Sequence, residues 1–125
     1  MSSDSITPDV RDFIHRYVDS IAQLEALLLL RREKEARWTN QSVGKRLYVS
    51  PEMASNLLDR LHSDGFLSND NGMFQYGCAE PDLENMVDKV AEIYARQLIP
   101  MTNLIHSKAS RIREFADAFK VRRDT

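Results

Sequence analysis

The chain has 125 residues, 42% apolar and 29% charged, which suits one ordinary domain with its own core. Four Gly, four Pro and a single cysteine, Cys78, exclude a flexible or collagen-like chain, an internal disulfide and a Cys-rich zinc site. Seventeen Lys and Arg against nineteen Asp and Glu leave a net charge of −2, whereas a dedicated nucleic-acid binder ordinarily shows a basic footprint.

The longest apolar run, Ala26 to Leu30, is far short of the ~20 residues that span a bilayer. Residues Met1 to Ile6 are polar without a basic n-region, so no secretory signal is visible and a cytoplasmic location is expected. Basic and acidic residues balance through most of the chain. The clear basic stretch lies at 106–123, with Lys108, Arg111, Arg113, Lys120, Arg122 and Arg123 against Glu114 and Asp117.

In chain order, Thr7-Pro8-Asp9 opens a first helix: Thr7 caps, Pro8 suits the first position and Asp9 favours the positive dipole end. Val10, Phe13, Ile14, Tyr17 and Val18 form its apolar face. Ser20 and Gln23 have capping-box spacing, and the helix from Ile21 runs through Leu24, Leu27, Leu28 and Leu30. Residues 36–39 read as a short edge strand in which Trp38 is a core anchor.

Thr39 or Asn40 caps a helix over 41–47, and Tyr48-Val49 is a short connection. Ser50-Pro51-Glu52 supplies cap, proline and acid for a helix to His62, with Ala54, Leu57, Leu58 and Leu61 inward. Gly65 provides the left-handed exit. Asn71-Gly72, between short apolar segments ending at Tyr76, signals a small hairpin. Of Phe74 and Tyr76, one is expected to pack inward.

Glu80-Pro81-Asp82 opens the longest helical pattern. Leu83, Val87, Val90, Tyr94, Leu98, Met101 and Ile105 make one stripe, which reads as intramolecular core or, the favoured expectation, as a dimer seam. Pro100 lacks an amide donor and crowds the carbonyl of Arg96, so a kink or break is expected near it. A last amphipathic segment puts Ile112, Phe115 and Phe119 on one face. It reads as a docked helix whose Phe115/Phe119 face is also a possible protein-partner surface.

Helix, short strand, helix, tight turn, helix and hairpin over 20–77 resemble a winged helix-turn-helix of bacterial regulators of the MarR and PadR kind. Trp38-Thr39, Val43-Gly44-Lys45-Arg46-Leu47, the run from Ser50 to Leu61 and Asp64-Gly65-Phe66-Leu67 carry the resemblance. The expected fold class is mainly α with a β-hairpin wing and long C-terminal helices. The expected division is an N-terminal helix (1–19), the winged unit (20–77) and a C-terminal dimerisation or docking region (78–125).

The resemblance implies a homodimeric regulator that inserts the helix after Ser50 into the major groove of double-stranded DNA. Glu52, Met53, Ser55, Asn56 and Arg60 then face the bases. Asn56 is placed to read adenine, Glu52 to accept from cytosine and Met53 to touch a thymine methyl. Lys45, Arg46 and the amides after Ser50 meet phosphate.

Two features depart from the pattern. Glu52 and Asp59 oppose the lone Arg60 on that helix, and the hairpin tip has Asp70 and no basic residue. A module that docks protein rather than DNA is therefore the competing reading. A ligand-sensing repressor would need a pocket between the long helix and the winged unit. His15, His62 and His106 are isolated, Cys78 reads as a small packing residue, and no catalytic constellation is present. Neither a metal, nor a cofactor, nor enzymatic activity is expected.

Overall fold

The computed structural model describes residues 6–108. The Phe115 and Phe119 face and the basic residues from Arg111 onward lie outside them. In order, the elements are α1 (Pro8–Tyr17), α2 (Ile21–Arg32), α3 (Asn40–Leu47), α4 (Pro51–Ser63), β1 (Leu67–Asp70), β2 (Met73–Tyr76) and α5 (Pro81–Arg96). Helical backbone resumes as α6 at 98 and runs through 108.

Local chemistry accounts for most of these boundaries. The Ser20 hydroxyl accepts from the Gln23 amide at 3.1 Å. The Gln23 side chain reaches one residue further back than a capping box requires, accepting from the Asp19 amide at 2.8 Å and donating to the Tyr17 carbonyl at 2.6 Å. Those two side-chain hydrogen bonds let this amide side chain sit at 3% exposure. Thr39 caps α3 in a reciprocal box with Ser42. Thr7 occupies the N-cap of α1 without capping it, because its hydroxyl donates to the Asp9 carboxylate instead.

The winged sheet is minimal. Leu67 pairs with Tyr76 and Asp70 with Met73, around a turn in which Asn71 (φ 55°) and Gly72 (φ 86°) are both left-handed. That is the primed geometry whose twist matches the strands. The expected edge strand is reduced to one residue: Trp38 exchanges two 2.7 Å hydrogen bonds with Phe74. Both Phe74 and Tyr76 are buried, not one of the two, because residues two apart share a face of a strand.

The long stripe is the main correction. Val87, Val90, Met101 and Ile105 are fully buried inside the single chain, in one cluster with Val10, Ile14, Leu24 and Leu27. Tyr94 is also buried and its hydroxyl donates to Glu25 at 2.7 Å. Leu83 is partly buried, and Leu98, at 53% exposure, is the one outward member. The stripe is thus largely monomer core: α5 and α6 cover α1 and α2 rather than wait for a partner. The helix breaks at Gln97, three residues before Pro100, where the missing proline amide and its ring clash end the Arg96 turn. Gln97 then starts α6, its carbonyl accepting from the Met101 amide at 3.1 Å. The break leaves Leu98 and Ile99 (70%) facing solvent.

One ion network ties α1 and α6 to α4. The Lys108 ammonium, 11% exposed, donates to the carbonyls of Ile14 (3.0 Å) and Val18 (2.9 Å) and pairs with Asp19 at 3.0 Å. Lysine at the negative end of α1 is the favourable sign. Asp19 also takes Arg60 at 2.7 Å. Burial alone would raise the Asp19 carboxyl, but hydrogen bonds from Lys108 and Arg60 outweigh it and hold it below the usual carboxylate value of 3.8. A depressed native pKa stabilises the fold above the unfolded value and is lost as pH falls through the native one. Asp19→Asn should therefore be less stable than wild type at neutral pH, with the gap closing below 3.8. Denaturant titrations across that range read it. A gap unchanged on acidification would mean that the charge contributes nothing.

Candidate nucleic-acid interface

α3 and α4 form the helix-turn-helix, and the turn between them is only residues 48–50. Two details make so tight a turn possible. Gly44 lets α3 approach α4, since a Cβ there would stand 2.8 Å from the Val49 carbonyl oxygen. Tyr48 takes the left-handed conformation (φ 60°, ψ 42°), and the Val49 amide closes onto the Gly44 carbonyl at 3.0 Å. Ser50 then caps α4, its hydroxyl accepting from the Met53 amide at 3.1 Å. Ala54, Leu58 and Leu61 anchor the inner face of α4 in the core.

The outer face carries the expected residues. Ser50, Glu52, Met53 and Asn56 are exposed on the first turns of α4, and Ser55 is half-buried. Lys45 is exposed at the end of α3 and forms no ion pair among the described residues. The two arginines are placed differently from expectation. Arg46 pairs with Glu33 at 2.6 Å and lies 5.5 Å from the centre of the Trp38 ring. Arg60 is held between Asp19 and Asp64, at 2.7 and 2.9 Å, which draws it toward the α1–α2 connection. Those hydrogen bonds keep its guanidinium charged. Glu52 and Asp59 stay exposed, so the outward face of α4 is acidic.

The wing adds no cation. Its tip is Asp70-Asn71-Gly72, braced by the Asn69 side-chain Oδ1 accepting from the Gly72 amide at 3.0 Å. The residue missed by sequence reasoning is Tyr48, 95% exposed at the turn and read there as mere connection. Its signal was available: three residues between two helices, none of them glycine, force some other residue into the left-handed region.

Elsewhere, a cleft of ≈ 510 Å³ opens between α1, the α4–β1 turn and the start of α5. Phe13, Tyr17, Leu83 and Met86 give it apolar walls, and Asp9, Asp12, Asp64, Glu80 and Asp82 outnumber Arg16 around it. Cys78 lies 3.4 Å from the Tyr76 hydroxyl, and burial pushes its thiol up, against thiolate chemistry. Among the described residues no His, Cys, Asp and Glu cluster could hold a metal ion, and no helix is long and apolar enough to cross a membrane.

The same architecture occurs in solved regulators. A MarR family transcriptional regulator from Streptomyces coelicolor superimposes with a TM-score of 0.56 at 19% identity, covering 93% of this chain and 83% of that one. A transcriptional regulator from Thermotoga maritima gives 0.51 at 21% identity, over 93% and 85%. A MarR family protein from Bacillus stearothermophilus gives 0.52 at 16%, over 90% and 83%. No protein-family model and no curated protein sequence matches the chain. The chain therefore has the winged-helix fold of MarR regulators.

Proposed function

We propose that the protein is a DNA-binding transcriptional regulator that presents α4 to the major groove as a homodimer. The observation that carries this reading is the capped, outward first half of α4, with Glu52, Met53 and Asn56 exposed and a hairpin wing beyond its far end. A helix presented end-first in this way fits the major groove, with its N-terminal residues at the base edges. The likeness to solved regulators supports it. A surface with Lys45 as its one unpaired cation among the named contacts binds weakly alone, because phosphate neutralisation supplies most non-specific affinity. Two copies on a twofold site double the contacts. The exposed Leu98 and Ile99 are apolar surface available for that pairing.

The test is binding of the purified protein to a pool of fragments from its own genome, at low and near-physiological salt. Retention of a few fragments at the higher salt is the expected result. On such a fragment, Asn56→Ala and Glu52→Ala should change sequence preference. Lys45→Ala should weaken all sequences and flatten the salt slope by about one unit per subunit. Arg46→Ala should do less, because Glu33 already holds that guanidinium. Equal affinity of every variant for every fragment would sink the assignment.

A protein-docking module is the second reading. It is favoured by the internal pairing of Arg46 and Arg60 and by the acidic face of α4. Failure to retain any fragment at either salt would select it.

A further inference from the structure

Tyr48 is the one aromatic residue among those described whose side chain is almost wholly in water, at 95% exposure; the rest are buried or half-buried. It is also one of two non-glycine residues with positive φ among the described residues. The other, Asn71, is a residue type that tolerates this region at a hairpin tip, whereas a tyrosine does not. A left-handed conformation costs a side chain with a Cβ something that glycine avoids. At 95% exposure the Tyr48 ring has no packing among the described residues that would offset that cost. Stability of the turn alone therefore favours glycine at this position, and the fold does not explain the tyrosine.

Its position does. The residue stands two places before the Ser50 cap, at the corner where α3 hands over to α4. When α4 enters a groove, this corner meets the phosphate–sugar rim. Of the three basic residues on α3 and α4, only Lys45 is without an ion pair among the described residues, since Arg46 is bound to Glu33 and Arg60 to Asp19 and Asp64, and the exposed Glu52 stands against it on the first turn of α4. Met53, 48% exposed, adds apolar surface on that turn. A neutral donor on a flat apolar ring is the contact such a corner can make without adding to the charge.

We propose that Tyr48 is a DNA contact of the helix-turn-helix corner, its phenol donating to a backbone phosphate and its ring lying against the adjoining sugar. Tyrosine is an established donor to phosphate, and a neutral donor displaces no counterion. The inference rests on the DNA-binding reading above, and the experiment separates the two.

The wild type, Tyr48→Gly and Tyr48→Phe are compared in thermal unfolding and in binding to the fragment that wild type selects, across a salt series. Tyr48→Gly is expected to melt no lower than wild type, because the left-handed strain is relieved. It is expected to bind about tenfold more weakly for each subunit, the scale of one lost hydrogen bond with its packing, at an unchanged salt slope. Tyr48→Phe keeps the ring and should lose only part of that affinity. Wild-type affinity in Tyr48→Gly would overturn the contact while leaving DNA binding intact. A lower melting temperature in Tyr48→Gly would make the ring structural and overturn it likewise, as would a slope reduced by a full unit, which would mean that the ring merely orients a cation. A wild-type chain that retains no fragment would overturn both readings together.

Discussion

Phe66→Ala should lose about 3–5 kcal/mol of folding stability, a large share of the 5–15 kcal/mol that a domain of this size holds. Phe66 is fully buried just after the α4 exit. Its ring centre lies 5.7 Å from that of Phe13 and 5.2 Å from that of Tyr17, the latter edge-on. The three rings join α1 to the base of the wing. The backbone around Phe66 is equally engaged: its amide donates to the Leu61 carbonyl and its carbonyl accepts from the Gly77 amide, at 3.0 and 3.1 Å. An alanine there opens a cavity between elements that cannot collapse onto it without moving the wing. The melting temperature should fall by roughly 20 °C, read by circular dichroism. Phe66→Leu, which keeps most of the volume, should cost about 1 kcal/mol. A loss in Phe66→Ala no larger than that of Phe66→Leu would show that the ring cluster is dispensable.

Gly44→Ala is the second substitution with a large expected effect. The added Cβ would meet the Val49 carbonyl oxygen at 2.8 Å, and that atom is backbone in a three-residue turn. It cannot rotate away, so α3 must separate from the start of α4. Overpacking of this kind costs about 2 kcal/mol. DNA selection should fall further than stability accounts for, because the α3–α4 angle sets how α4 is presented. Gly65→Ala is the useful control. There the Cβ meets only the Leu83 and Ala79 side chains, at 3.6 and 3.7 Å, so the cost comes from φ of +94° alone. Equal DNA binding by Gly44→Ala and wild type, at matched folded fraction, would separate the turn geometry from function.

Much of this architecture is legible in local chemistry. Ser20, Thr39 and Ser50 mark helix starts because a side-chain oxygen there satisfies an amide that the helix leaves free. Asn71-Gly72 marks the hairpin because the turn needs two left-handed residues. What stayed hidden depends on distant partners. Periodicity shows that Val87, Val90, Met101 and Ile105 share a face, but not that α1 and α2 of the same chain cover it. Nothing near Arg60 in the sequence says that Asp19, 41 positions earlier, will take its guanidinium. Arg46 and Glu33 meet across 13 positions in the same way. Residue type placed the candidate interface. Tertiary pairing determined which of its cations are free.

The contact between Lys108 and the end of α1 also sets a timetable. The lysine reaches carbonyls 94 and 90 positions earlier in the chain. At a synthesis rate of about 5–20 residues per second, the apolar face of α1 emerges roughly five to twenty seconds before its last cover is made. Val10, Phe13 and Ile14 spend that interval against an incomplete core. Closing so long a loop is entropically slow, so the winged unit has time to form first. A ribosome that stops before α6 would release a chain with α4 in place and α1 covered only in part, by α5, a natural substrate for chaperones and proteases.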